Sequence, residues 1–429
     1  MRLIDRMRKF ADYGTGVFSG LSAVLFNFLI QIILIRLLGV ASFGLFALWR
    51  NNVLLAASLG SFSMNTFALK RLSTLRINRE LNAISVFRRN STFVVLALSI
   101  VTGFITAIFL RPEAFGFFAT VGTVISLALI FVWAAGNRAL YGGLLVLFAE
   151  RGLLPLIFLS IVALALVNVF EPDLNSLGGL FFGAVLLTLF VVFSLDRKTI
   201  DFDENQKNKS APSGVLVAVP EQSPIYLLKD SLPFFFISLA SFASARMPLI
   251  LVAPIISPAQ LGQLAFMLSL SGLVGVTLFS LNMVAAPKIA SAHASGNHED
   301  SHHVVNYVRW LAFFLASAAA IALWFLQPFF AWATDSSGLI VPQAFAIFLA
   351  ASFLNVMLGV PTLYLQMTGH QTTLAKLVNF GVGLKIALVV PMIMQFGLVG
   401  VAGSEVIQFL ALGVGVTFLY RKARSETLQ

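Results

Sequence analysis

Apolar runs close to twenty residues long recur along the chain between short polar breaks, and one break is far longer than the others. Leu195 to Lys229 is the only long polar run between residues 10 and 420. About twenty apolar residues is the length an α-helix needs to cross a hydrocarbon core roughly 30 Å thick. The pattern predicts twelve spans: Val17–Arg36, a second reaching Phe67, Thr92–Leu110, Phe117–Phe148, Leu153–Phe170, Leu177–Leu195, Ser231–Ile256, Leu261–Ala286, Val304–Leu326, Ile340–Gln366, Thr373–Gln395 and Leu398–Tyr420. The fourth is too long for one perpendicular crossing, so it tilts or its end lies on the surface, which leaves the depth of Arg138 open. Leu3, Ile4, Met7 and Phe10 fall at helical spacing among Arg2, Arg6, Arg8 and Lys9. They predict an amphipathic helix lying on the inner leaflet, ahead of the first span of a retained signal-anchor.

The long break, residues 196–230, has the mixed-charge, Pro/Ser-bearing composition of a solvated linker. It divides the chain into an N-terminal six-helix lobe, 1–195, and a C-terminal six-helix lobe, 231–429. The second lobe is a shifted copy of the first. An offset of 218 residues places Gly44 on Gly262, Lys70 on Lys288 and Asn137 on Asn355, and brings all six spans of one half onto spans of the other. Six is an even number, so both copies enter the bilayer from the same face. The repeat is therefore parallel, about an axis normal to the membrane, a plan that commonly holds a substrate between two rocking bundles.

Composition agrees: 59% of residues are apolar and 11% charged, against about a quarter charged in soluble domains. The fold class is an all-α polytopic membrane protein. A net charge of +10 would suggest nucleic acid in a soluble domain, but here the cations segregate to one side of the spans, and only Arg36, Arg50 and Arg111 fall on the other. That bias places both termini and the linker in the cytoplasm and removes nucleic acid as a partner. There is no cysteine, which excludes disulfides, thiolate metal sites and cysteine nucleophiles. No Walker-type glycine loop is present, so ATP is not the direct energy source. His293, His298, His302 and His303 read as a polar surface loop rather than a metal cluster.

Four stretches carry a family resemblance: Ile35-Arg36-Leu37-Leu38-Gly39-Val40-Ala41-Ser42-Phe43-Gly44-Leu45-Phe46-Ala47-Leu48; Leu232-Pro233-Phe234; Ser257-Pro258-Ala259-Gln260-Leu261-Gly262 with Pro287 downstream; and Phe396-Gly397-Leu398-Val399-Gly400-Val401-Ala402-Gly403. In order and spacing, over nearly the whole chain, they resemble the polysaccharide-transport branch of the multidrug/oligosaccharidyl-lipid/polysaccharide flippase superfamily. The resemblance implies a flippase of the bacterial cytoplasmic membrane, serving O-antigen or exopolysaccharide synthesis. Its substrate is an oligosaccharide repeat unit on a polyprenyl-diphosphate carrier. Its partners are that glycolipid, membrane lipids and other polysaccharide-assembly proteins. Twelve spans rather than fourteen argue against the peptidoglycan-precursor branch. No cofactor is implied; a proton or sodium gradient supplies the energy.

A charge deep in a bilayer costs several kcal/mol, so each one is a functional candidate. Arg246 falls about fifteen residues into the seventh span and Lys385 at similar depth in the eleventh; Glu405, in the twelfth, is the only deep carboxylate; Arg50 lies in the second beside Asn51 and Asn52. Counted from the turn near Phe396, Lys385 and Glu405 differ in depth by only about 3 Å. A structural ion pair and a transport role stand with equal weight for them, and Glu405 is also the candidate for ion coupling. Arginine's planar fork matches phosphate oxygens. Arg246, with Arg50, Lys385 and Arg138, is therefore expected to line a cationic cavity for the diphosphate. Asn27, Gln31, Asn355 and Gln366 are candidates for sugar hydroxyls, against the commoner use of such amides in joining helices.

Three other functions fit the same residues less well. A cation-coupled exporter of drugs or small amphiphiles would want deep carboxylates, and the first span has none. A membrane glycosyltransferase, polymerase or ligase needs acids in a sizeable outside region, whereas Glu113, Glu171, Asp173 and Asp335 are scattered over three short loops. A non-enzymatic scaffold of an assembly complex leaves Arg246 unexplained.

Overall fold

The computed structural model describes residues 2–77, 81–110, 116–140, 152–166, 173–207, 223–294 and 298–427. The turn Arg111-Pro112-Glu113, the tails of the fourth and fifth expected spans and linker positions 208–222 lie outside them. All regular structure among the described residues is helical: α1 (Arg2–Ser61), α2 (Met64–Ile77), α3 (Leu81–Phe109), α4 (Phe117–Leu140), α5 (Leu153–Leu166), α6 (Leu174–Lys207), α7 (Pro224–Val252), α8 (Pro258–Ala294), α9 (His298–Phe325), α10 (Gln327–Thr334), α11 (Pro342–Met367) and α12 (Gln371–Thr427). Hydrocarbon offers no water to bond a backbone N–H or C=O, so a segment must satisfy these groups internally, as a helix does.

Among the described residues nine helical segments are long and apolar enough to cross a membrane. Two of them, Ser22–Ser61 and Thr372–Ser425, run for 40 and 54 residues, about 60 and 80 Å of helix against a core of roughly 30 Å. Each must turn back. The turns are at Gly39 (φ 78°) and Gly397 (φ 59°), in the left-handed region that glycine enters without a Cβ penalty. Counting each bent segment twice, and adding the shorter apolar helix α5, recovers the twelve expected crossings. Two expectations change. The backbone is helical from Arg2 to the Gly39 bend without a break, so the N-terminal stretch continues into the first span. Residues 196–207 of the linker extend α6, since no Pro or Gly interrupts the chain before Pro212.

The chain forms two compact units, Met1–Leu48 with Ala243–Gln429, and Trp49–Phe242. In the second unit α4 packs against α2, α3 and α6; in the first, α11 packs against α8, α9 and α12. These are span four against three, six and the helix that continues from span two, and ten against eight, nine and twelve. The same neighbours recur six spans later, so the repeat read from the sequence is also a repeat of packing.

One contact within the first unit is reciprocal. A Cβ on Gly44 would strike the backbone of Pro258 and Gly262, and a Cβ on Gly262 would strike the carbonyl and side chain of Val40. The 218-residue offset maps Val40 onto Pro258 and Gly44 onto Gly262, so each copy contributes the same pair of positions. That is the signature of an isologous contact, here between two halves of one chain. Small residues permit such close helix crossings in membranes.

In the second unit Asp173 caps α6. Ser176 N–H donates to Asp173 Oδ1 at 2.7 Å and Asp173 N–H donates to Ser176 Oγ at 3.0 Å, a capping box with serine in the third position. Hydrogen bonding by Ser176, through its side chain first and its N–H second, holds the Asp173 carboxyl below the usual range.

Two predictions follow from these contacts. Gly262→Leu overpacks the reciprocal crossing and should destabilise the detergent-solubilised protein by about 1–3 kcal/mol, with Gly44→Leu matching it, read as a fall in melting temperature. Because the Asp173 pKa is lowered on folding, its cap is fully present above the ordinary aspartate pKa and lost as pH falls through the folded value. Corrected hydrogen-exchange protection at the start of α6 should therefore decline below about pH 4, and Asp173→Asn should remove that decline while keeping the cap.

Candidate functional site

Three helical legs, one from α7 and two from α12, converge on one buried ammonium group. Lys385, 2% exposed, donates to Glu405 Oε1 at 2.7 Å and to the Ser244 carbonyl at 2.8 Å. Lys385 stands on α12 before the Gly397 bend, Glu405 after it, and Ser244 on α7. Gln408, one turn beyond Glu405, exchanges hydrogen bonds with the Ser244 hydroxyl at 2.9 and 3.2 Å. The Ser244 carbonyl is available for a local reason. Its helical partner would be the N–H of residue 248, which is proline and has none. The lysine thus answers two needs that hydrocarbon makes acute, a carboxylate and a freed carbonyl. Of the two readings open for this pair, the geometry supplies a complete structural one. From the Gly397 bend, Lys385 lies about 18 Å along one leg and Glu405 about 12 Å along the other.

The other cations fall in different places. Arg246 is half-buried on α7, two residues past Ser244 and about 9 Å from the helix end at Val252. Arg50, half-buried, and Arg138 belong to the second unit. Arg138 lies in the last turn of α4, about 33 Å along the helix from Gly116. Beside it, Asn137 accepts from Arg88 Nη2 at 3.1 Å and donates to the Val192 carbonyl at 3.3 Å, tying α3, α4 and α6 together.

The amides separate into two classes. Asn27 donates to Ala23 O at 2.8 Å and Gln31 to Asn27 O at 3.2 Å, both within their own helix. Gln31 is buried, and its Oε1 has no hydrogen-bond partner among the described residues. Asn355 and Gln366 on α11 are exposed on the surface of the first unit. Asn355 thus differs from its repeat counterpart Asn137, which is consumed by packing.

Two features were missed by reading the sequence. His302 is buried, not solvated; it stacks on Tyr364 with centroids 5.2 Å apart and its Nδ1 lies 3.4 Å from the Tyr420 hydroxyl, joining α9, α11 and α12. His298 opens α9 and His303 stands 3.9 Å from Glu299 on the exposed face. No group of three metal-ligating side chains occurs among the described residues. Asn306, Arg309, Trp310 and Phe313 of α9 and Met357 of α11 line a pocket of about 320 Å³. Arg309 had counted only as one of the basic residues on one side; its pocket adds an amide and an indole. Pro361, inside α11, also frees the Met357 carbonyl from its helical bond.

No protein family and no curated protein matches the chain in sequence. Its fold does match solved structures. An outward-facing multidrug-resistance MATE family transporter of the MOP superfamily aligns with a TM-score of 0.67 at 17% identity, over 97% of this chain and 95% of the other. An inward-facing member aligns at 0.66 and 15%, over 96% and 98%. The lipid II flippase MurJ in an inward closed conformation aligns at 0.65 and 13%, over 99% and 91%. The likeness spans almost the full length of each protein and shows that this chain has the fold of MATE transporters.

Breaking the buried pair from one side leaves an unanswered charge. Lys385→Met or Glu405→Leu alone should destabilise the protein by about 3–5 kcal/mol, whereas the double variant should lie much nearer the native protein. Thermal unfolding of the three variants in one detergent, treated as a double-mutant cycle, measures the difference.

Proposed function

We propose that the chain is a flippase for a polyprenyl-diphosphate-linked oligosaccharide in the bacterial cytoplasmic membrane. It serves O-antigen or exopolysaccharide assembly and keeps its termini on the cytoplasmic side. The observation that carries this reading is the balance of deep charge. Among the described residues Glu405 is the one carboxylate deep in the spans and it is bonded to Lys385, so the deep cations Lys385, Arg246 and Arg50 outnumber the deep carboxylates. Such an excess favours an anionic head group over a cationic drug, although proteins of the same fold include multidrug transporters.

In this reading Arg246 grips the diphosphate through its planar fork. Arg50, Lys385 and Arg138 add to the attraction, and the amides of Gln31, Asn27, Asn355 and Gln366 meet sugar hydroxyls. The two repeats provide the two-bundle plan on which alternating access rests. A proton or sodium gradient drives the cycle, with Glu405 exchanging its lysine partner for the coupling ion. No chemical bond is made or broken, so the protein is not an enzyme. Partners in glycan assembly dock outside the membrane-embedded part.

The test is translocation of a lipid-linked oligosaccharide in proteoliposomes under an imposed gradient. Arg246→Ala should keep its melting temperature and lose about tenfold or more in rate, the size of one charge-assisted hydrogen bond. Retention of full activity by a folded variant removes Arg246 from the site. Export of a cationic dye, with no flipping of the glycolipid by the native protein, replaces the flippase with a drug exporter.

A further inference from the structure

A trough runs along the surface of the first unit between α11 and the second leg of α12. Its volume is about 510 Å³, within the roughly 300–1,000 Å³ of small-molecule sites. Leu354, Met357 and Leu358 form one wall. Phe409, Gly413 and Thr417, one helical turn apart on α12, form the other, and the stripe ends on Arg421. At the floor the helices close up, since a Cβ on Gly413 would stand 3.3 Å from Leu358 Cδ2. The rim is open: Val414 is 75% and Phe418 71% exposed.

The dimensions of the trough point to its occupant. Arg421 lies about 36 Å along the helix from the Gly397 bend, beyond a core of roughly 30 Å, so its guanidinium is at head-group level. Phe409 lies about 18 Å from the same bend, near the bilayer centre. The groove therefore extends through one leaflet, with a cation where a lipid carries its phosphate and apolar walls where it carries its tail. Only two helices line it, in single file, which leaves one lane rather than two. A two-chain phospholipid does not fill such a lane with both tails; a single isoprenoid chain does.

We infer that this trough is a docking groove for a polyprenyl-phosphate lipid in the leaflet on the Arg421 side. The isoprenoid lies between α11 and α12 and its phosphate or diphosphate meets Arg421. The inference rests on the flippase reading and deepens it, because it assigns the carrier tail to residues other than the deep charges of that reading. The head group and glycan are then free to move while the tail remains in lipid contact.

The test uses the full chain in proteoliposomes with a polyprenyl diphosphate that bears a diazirine on its isoprenoid, and maps the labelled residues by mass spectrometry. Labelling should fall on 354–358 and 409–421. Arg421→Gln should lower it roughly tenfold by loss of the charged contact. Val414→Trp, which fills the rim without entering the helix crossing, should lower it as far while the melting temperature stays unchanged. Diazirine-labelled phosphatidylglycerol should not compete. Equal competition by that lipid makes the trough a general anionic-lipid site and overturns the inference, as does labelling that Val414→Trp leaves untouched. Flipping is measured in the same vesicles. Flipping without labelling of the trough sinks the groove alone; labelling without flipping removes the flippase and leaves the groove.

Discussion

A solvent that cannot hydrogen-bond is the constraint from which the architecture follows. It makes the backbone helical wherever the chain crosses, and it makes any polar group inside the crossing seek a partner within reach. The Lys385 ammonium shows how far this goes. Pro248 strips the Ser244 carbonyl of its helical donor, Glu405 brings a negative charge into the same layer, and one lysine from a third leg answers both. Spans seven, eleven and twelve are thereby joined at one point by groups that would each be costly alone. Removing either partner does more than delete a contact, because what stays behind is a charge in hydrocarbon.

Where polar groups do not join the helices, the absence of side chains does. The glycines that carry the family resemblance each have a geometric task. Gly39 and Gly397 reverse the chain with positive φ, so that two very long helices fold into pairs of spans. Gly44 and Gly262 let two backbones meet at a crossing built from equivalent positions of the two repeats. Gly400, three residues past a bend, lies against the Met392 backbone of the leg before it. The motifs are weak as letters, since Gly and Leu abound in membrane helices. They are specific as places where a Cβ would either strain a positive-φ bend, as at Gly39 and Gly397, or strike a neighbouring backbone, as at Gly44, Gly262 and Gly400.

This explains what could be read from the sequence. Span count, fold class, the parallel repeat and the proximity of Lys385 to Glu405 all follow from periodicity and helical rise. These are properties of one helix at a time, or of two joined by a tight turn. Whatever depends on the side of a helix that meets a third helix was not legible. His302 looked solvated because its neighbours in sequence are polar, yet its neighbours in space are Tyr364 and Tyr420. Ser244 gave no sign of serving Lys385, although Pro248 four residues later is a signal that could have found it. Arg309 was one cation among many until Trp310 and Met357 closed around it.

The repeat also shows where the two copies differ. Carried back by 218 residues, Arg246 falls on Phe28, Pro248 on Ile30, Lys385 on Val167 and Glu405 on Leu187. Every member of the charged apparatus around α7 and α12 has an apolar counterpart in the first copy. Conversely, Asn137 spends its amide on Arg88 and Val192 while its counterpart Asn355 stays open on the surface. The two copies share the scaffold, because packing and bends depend on glycine positions and helix lengths that both retain. They do not share their charges. The buried Lys385–Glu405 pair and the carbonyl freed by Pro248 belong to the C-terminal repeat, while Arg50 and Arg138 of the first copy fall on Leu268 and Val356 of the second. Polar groups are thus added to each copy separately, on a scaffold that both keep.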